Sequence, residues 1–156
     1  MRTFGIIAAM LLLLHINSSF VTFQSSVKSS GMLHFKSNGQ LYVADNSHAR
    51  GYALQQNGNA FLKAANTENM IIDVQWDNLK AAGEYIVVKD KGTAQFTVAH
   101  KTYSLLQQGD YVKILVSSIK SSGAFLLLQG KFEAKLHDKN GNELNVTEGR
   151  FETFNL

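Results

Sequence analysis

Hydrophobic and polar residues alternate with a period of two along most of the chain, which predicts strands rather than helices. Leu33 and Phe35 alternate with His34 and Lys36, and after Asn38-Gly39 the pattern resumes with Leu41 and Val43 against Gln40 and Tyr42. Both central residues of a type I′ turn need positive φ, which Asn tolerates and Gly adopts freely, so Asn-Gly between two alternating runs predicts a hairpin. The dipeptide recurs at Asn57-Gly58 and Asn140-Gly141, which favours antiparallel sheet. Met70, Ile72, Val74 and Trp76 share one face of a run whose other face carries Asp73 and Gln75. That is the pattern of a half-buried strand, with Trp76 in the core.

Further strands are predicted over residues 84–89, 95–103 and 111–119, the first ended by a turn at Asp90-Lys91-Gly92. In residues 125–138, Phe132, Ala134 and Leu136 face one way and Glu133, Lys135 and His137 the other. The last strand, over 143–154, alternates through Leu144 and Val146 and meets Gly149, where a bulge would shift the register before Phe151. Only residues 78–82 have helical composition, enough for a single turn. Eight to ten short strands predict an all-β domain, an antiparallel β-sandwich, with a closed up-and-down barrel as the alternative.

Composition sharpens the setting. The 156 residues include no cysteine and no proline. That excludes disulfides, thiolate metal sites, a cysteine nucleophile and a lipid-modified cysteine. About eight prolines would be ordinary at this length, and their absence suits long unbroken strands. A hydrophobic fraction of 45% with 17% charged residues fits a packed core and not a disordered chain. The formal charge of +3 comes from basic residues scattered singly or in pairs, without the clustering that nucleic-acid binding requires.

The N-terminus has the pattern of an export signal: Arg2, an apolar run over 4–14, then small polar residues at 17–19. A bilayer span needs about 20 apolar residues, so cleavage is the better reading. The predicted organisation is a signal peptide over 1–19, cut somewhere between residues 18 and 26, a Ser-rich tether over 20–31, and one β domain over 32–156. The processed chain is expected to be soluble in the periplasm or outside the cell, without a membrane span.

Candidate chemistry is sparse. No pair among the five histidines has metal-ligand spacing. His34 and His137 fall on polar strand faces and read as solvated, whereas His100 shares the face of Phe96 and Val98; a hydrogen-bonded histidine near a strand end is the favoured reading there, and a cavity-lining one the alternative. Asp138, Asn140 and Asn142 match the first three positions of a calcium loop, but Glu143 stands where glycine is needed and Gly149 where a bidentate glutamate is needed. No nucleophile elbow, zinc motif, phosphate loop or dinucleotide fingerprint occurs. Asp73 and Asp77, like Glu148 and Glu152, would stand about 13 Å apart along a strand, beyond the roughly 6.5–9.5 Å of the wider glycosidase geometry. Tyr42, opposite in parity to Leu41 and Val43, is expected to face solvent. With Trp76, Tyr85 and His100 it makes up the candidate ligand-binding set; no catalytic residue, metal or cofactor is expected.

The C-terminal third resembles a family of small exported β-proteins of unknown function in Bacteroidetes-type bacteria. The likeness rests on the strand over 112–119, Gly130-Lys131-Phe132-Glu133-Ala134, the Asn140-Gly141 turn, and Val146-Thr147-Glu148-Gly149-Arg150-Phe151. It implies an exported β-sandwich and supplies no catalytic residues. Such proteins often carry a lipid-anchor cysteine that this chain lacks. The expected function is a non-enzymatic binding or structural role in the cell envelope, toward an envelope component or a small ligand. The alternatives are a lipocalin-like carrier, which needs an apolar cavity, and a carbohydrate-binding module, which needs exposed aromatic residues.

Overall fold

The computed structural model describes residues 29–156; the predicted signal peptide and nearly all of the predicted tether lie outside the described residues. The strands are β1 Ser30–Ser37, β2 Gln40–Val43, β3 Arg50–Leu54, β4 Ala60–Ala65, β5 Ile71–Trp76 and β6 Gly83–Val87. They continue with β7 Gly92–Val98, β8 Lys101–Ser104, β9 Tyr111–Ser122, β10 Phe125–His137 and β11 Glu143–Asn155. Among the described residues the one helical piece is a 3₁₀ turn, Asn46–His48, and no helix is long and apolar enough to cross a membrane. The chain is all-β, as its alternation predicts.

The strand count among the described residues is eleven instead of eight to ten. One reason is that the run over 95–103 is two strands: Ala99 and His100, at φ +49° and +63°, make a tight turn between β7 and β8. Neither residue is Gly or Asn, so the turn has no sequence signal. At Asn38-Gly39 the expected hairpin forms, with φ of +50° and +77°. The other two Asn-Gly pairs lie in longer loops, where only the glycine has positive φ.

Every pairing is antiparallel. One ladder runs β6-β9-β10-β11-β1-β2. The other runs β10-β3-β4-β5-β7-β8 and returns to β10 through a single pair, His137 with Ser104. The eleven strands are thus one hydrogen-bonded sheet whose two ladders share β10, and that lone pair is the sole closure among the described residues, so no regular up-and-down barrel forms. Where β3 leaves β10, a side chain takes over from backbone: Thr153 Oγ1 accepts from Gly51 N–H (2.6 Å) and donates to Gly51 C=O (2.8 Å), both buried.

The two ladders meet through aromatic rings. Phe35 of β1 and Phe132 of β10 lie 6.1 Å and 6.3 Å from Phe96 of β7, and Phe151 of β11 is 6.4 Å from Phe132. Two Gly-x-Phe tripeptides pair head to tail, with Gly130 opposite Phe151 and Phe132 opposite Gly149. Each glycine is required by the other strand's ring and by neighbouring backbone: a Cβ on Gly130 would lie 2.2 Å from Leu115 O and 2.9 Å from Phe151 Cζ, and one on Gly149 2.4 Å from Phe132 O. The bulge expected at Gly149 sits just before it. Thr147 and Glu148 together oppose Glu133, with Glu148 at φ +52°.

Candidate functional site

The interior is full. Phe35, Phe96, Phe151, Leu33, Leu62, Met70 and Ile72 are among the largest side chains that are completely enclosed, and the concavities lie on the outside. One of about 740 Å³ is bounded by β6, the loop over 106–111, and the start of β9. Ile86, Leu106 and Tyr111 give it apolar surface, with Ile86 54% and Leu106 45% exposed. Gln107, Gln108, Lys89, Asp90, Lys113 and Glu133 supply polar groups. It adjoins a concavity of about 500 Å³ that holds Trp76 and Tyr85, sharing Ile86 and Asp90 with it. On the other side, a concavity of about 270 Å³ shares Lys113 and Glu133. The three concavities adjoin one another along β6, and the 740 Å³ one is the groove.

Sheet register builds the centre of this groove. Lys113 of β9 lies opposite Ile86 of β6 and opposite Glu133 of β10. Its Nζ is 3.0 Å from Glu84 and 3.9 Å from Glu133. The hydrogen bond and charge of Glu84, with lesser help from Glu133, hold the Lys113 ammonium above its usual pKa.

The groove's other wall is the loop over 106–111, and Asp110 fixes it. Asp110 Oδ2 accepts from the backbone N–H groups of Leu106 (2.9 Å) and Gln107 (2.7 Å), while Oδ1 lies 2.6 Å from His137 Nδ1. The Asp110 side chain is 1% exposed, so all its bonding is internal. His137, expected on a solvated face, is thus buried beneath this loop. Its Nε2 is 3.6 Å from Glu143, which pairs with Lys135 at 3.0 Å. Lys135 and then Asn145 hold the Glu143 carboxyl below its usual range.

The four predicted residues do not converge. Trp76 and Tyr85 are neighbours, with ring centroids 6.3 Å apart. Trp76 is buried, as expected. The Tyr85 hydroxyl donates to Ala81 O (2.6 Å) and accepts from the N–H groups of Lys80 and Ala81, pinning the loop after Trp76. Tyr42 and His100 lie near the other end of β5. Tyr42 does not face solvent: its ring stacks on Phe35 at 5.1 Å, while Leu41 and Val43 are the exposed pair. The two-residue turn decides this, because it sets Tyr42 opposite Phe35, whose face is buried. His100 is an exposed residue of the turn at the end of β7, its Nε2 3.5 Å from Asn69 Nδ2, which is the favoured reading of a hydrogen-bonded histidine near a strand end; the alternative, a cavity lined with Phe96 and Val98, does not form.

At the calcium-like stretch, Asp138 accepts from the Asn142 side chain (2.7 Å) and from the backbone N–H groups of Asn140 and Asn142. Its carboxylate is occupied in stabilising the turn. Among the described residues no cluster of three or more metal-ligating side chains exists. Ile86, Leu106 and Lys113 carry little sequence signal as groove residues; the one signal is an apolar Leu106 just before Gln107-Gln108-Gly109. The chain matches no family model, no curated protein and no solved structure.

Proposed function

We propose that this protein is an exported, non-enzymatic binding module of the cell envelope that acts through the groove beside β6, and that its ligand is an uncharged, hydroxyl-rich chain such as a glycan. The observation that carries the reading is a filled interior with an amphipathic groove outside it. Apolar surface from Ile86, Leu106 and Tyr111 suits the flat face of a sugar ring, and the amides of Gln107 and Gln108 suit its hydroxyls. In the 740 Å³ concavity Lys89 and Lys113 face Asp90 and Glu133, and the third acid, Asp110, is buried against His137, so the exposed lining carries little net charge to select an ion. The adjoining concavities give the groove the length a linear chain would use.

The export reading rests on the N-terminal pattern and on the likeness of the Gly-x-Phe ending. A carrier with an internal apolar cavity is disfavoured by the packed Phe35, Phe96, Phe132 and Phe151 rings. The test is a glycan array probed with the wild-type protein and with Leu106→Asp. Binding to neutral linear glycans that the variant loses is expected; a blank wild-type array refutes the reading.

A further inference from the structure

We propose a second binding site, separate from the groove: the free edge of β2, which takes an extended peptide carrying a basic residue by strand addition. Among the described residues β2 pairs only with β1. Ala44 N–H donates to Leu33 O at 2.9 Å. Hydrogen-bonded pairs alternate along an antiparallel ladder, so Leu41 and Val43, opposite Lys36 and His34, occupy non-bonded pairs. Their backbone groups point away from β1. Asn66 Nδ2 reaches Val43 O from that side at 3.1 Å. Leu41 N–H, Leu41 C=O and Val43 N–H have no partner among the described residues.

Edge strands are ordinarily shielded by shortness, charge, proline, a bulge or a covering loop. Gln40–Val43 is four residues long and meets the 66–69 loop at Val43, but it carries no charge, proline or bulge, and its Leu41 and Val43 side chains are 55% and 50% exposed. The loop over 66–69 stands across from this edge and encloses a slot of about 370 Å³ with it. That wall selects the occupant. One extended strand can enter, whereas the sheet edge of a second folded copy would bring its neighbouring strands against the loop. Asp45 and Glu68 line the slot and no Lys or Arg does, which favours a cationic side chain on the incoming strand. Apolar residues at alternate positions would lie beside Leu41 and Val43.

The probe is a fluorescent hexapeptide of alternating valine and threonine with a terminal lysine, read by anisotropy against the protein and its Leu41→Pro variant. Because the Leu41 N–H points outward, proline there removes a docking donor and leaves the β1–β2 ladder intact; retention of the hairpin is checked by amide NMR. Saturable binding is expected, weakened at least tenfold by Leu41→Pro and at least tenfold when the peptide's lysine becomes glutamate. A Leu41→Lys variant, should the proline disturb the hairpin, is expected to weaken binding likewise. Equal binding to wild type and variant overturns the proposal. So does no binding to wild type at millimolar peptide, or a Leu41-dependent dimer in sedimentation that excludes the peptide.

Discussion

Replacing Gly130 by alanine tests the packing on which both ladders depend. A Cβ there would lie 2.2 Å from Leu115 O, a backbone atom of the adjacent strand β9, and 2.9 Å from Phe151 Cζ. Even a favourable carbon–oxygen contact needs about 3.3 Å, so β9 and β10 must separate by roughly 1 Å at this point. Overpacking of this kind costs about 1–3 kcal/mol and occasionally more. Weakening one or two ladder hydrogen bonds adds about 0.5–1.5 kcal/mol each. The expected loss is about 3 kcal/mol, which for a domain of this size lowers Tm by roughly 10–15 °C. Urea unfolding followed by circular dichroism gives the free energy, and thermal melts give Tm. Gly123→Ala is the control: its φ is +58° and no atom lies within 4 Å of the new Cβ, so only the left-handed strain of about 1–2 kcal/mol applies. If Gly130→Ala costs no more than Gly123→Ala, the packing account is wrong.

Three further outcomes follow from named contacts. Thr153→Val removes the hydroxyl that satisfies both Gly51 backbone groups and should cost about 2–4 kcal/mol in urea unfolding, with Thr153→Ser recovering most of it. Asp110→Ala frees the N–H groups of Leu106 and Gln107 together with His137; a loss of at least about 3 kcal/mol is expected, and hydrogen exchange should accelerate at those two amides. Asp138, held below 3.8 chiefly by the Asn142 side chain, and Glu143, held below 4.5 chiefly by Lys135, have depressed folded-state values. Their stabilisation is complete above the ordinary carboxylate values and is lost as pH falls through the folded ones. Lys113 and Lys135 are raised above 10.5, so their contribution is present below that value and is lost as pH rises past it. Stability measured against pH should therefore fall at both extremes, and Asn142→Ala should flatten the acid limb.

Much of the strand pattern is written in local alternation, because a face buried against the core must be apolar at every second residue. Met70, Ile72, Val74 and Trp76 are all buried, as are Phe132, Ala134 and Leu136. What local pattern does not carry is the pairing. Tyr42 takes its face from Phe35 across the hairpin. His137 is buried because the Asp110 loop folds over it, and that loop is remote in the chain. The turn at Ala99-His100 uses residues without turn signals. Gly149 looks like a bulge residue, yet its requirement comes from the Phe132 ring and backbone on β10. The groove was hidden for the same reason: Ile86, Leu106 and Lys113 come from different segments that only the β6–β9 pairing and the 106–111 loop bring together.

An amide-resolved NMR titration with a neutral linear oligosaccharide tests the functional account most directly. The account predicts saturable shifts confined to Ile86, the 106–111 loop and Lys113, with Phe35, Phe96 and Phe151 unmoved. The absence of shifts at those groove positions, or shifts centred on the aromatic interior, would contradict it.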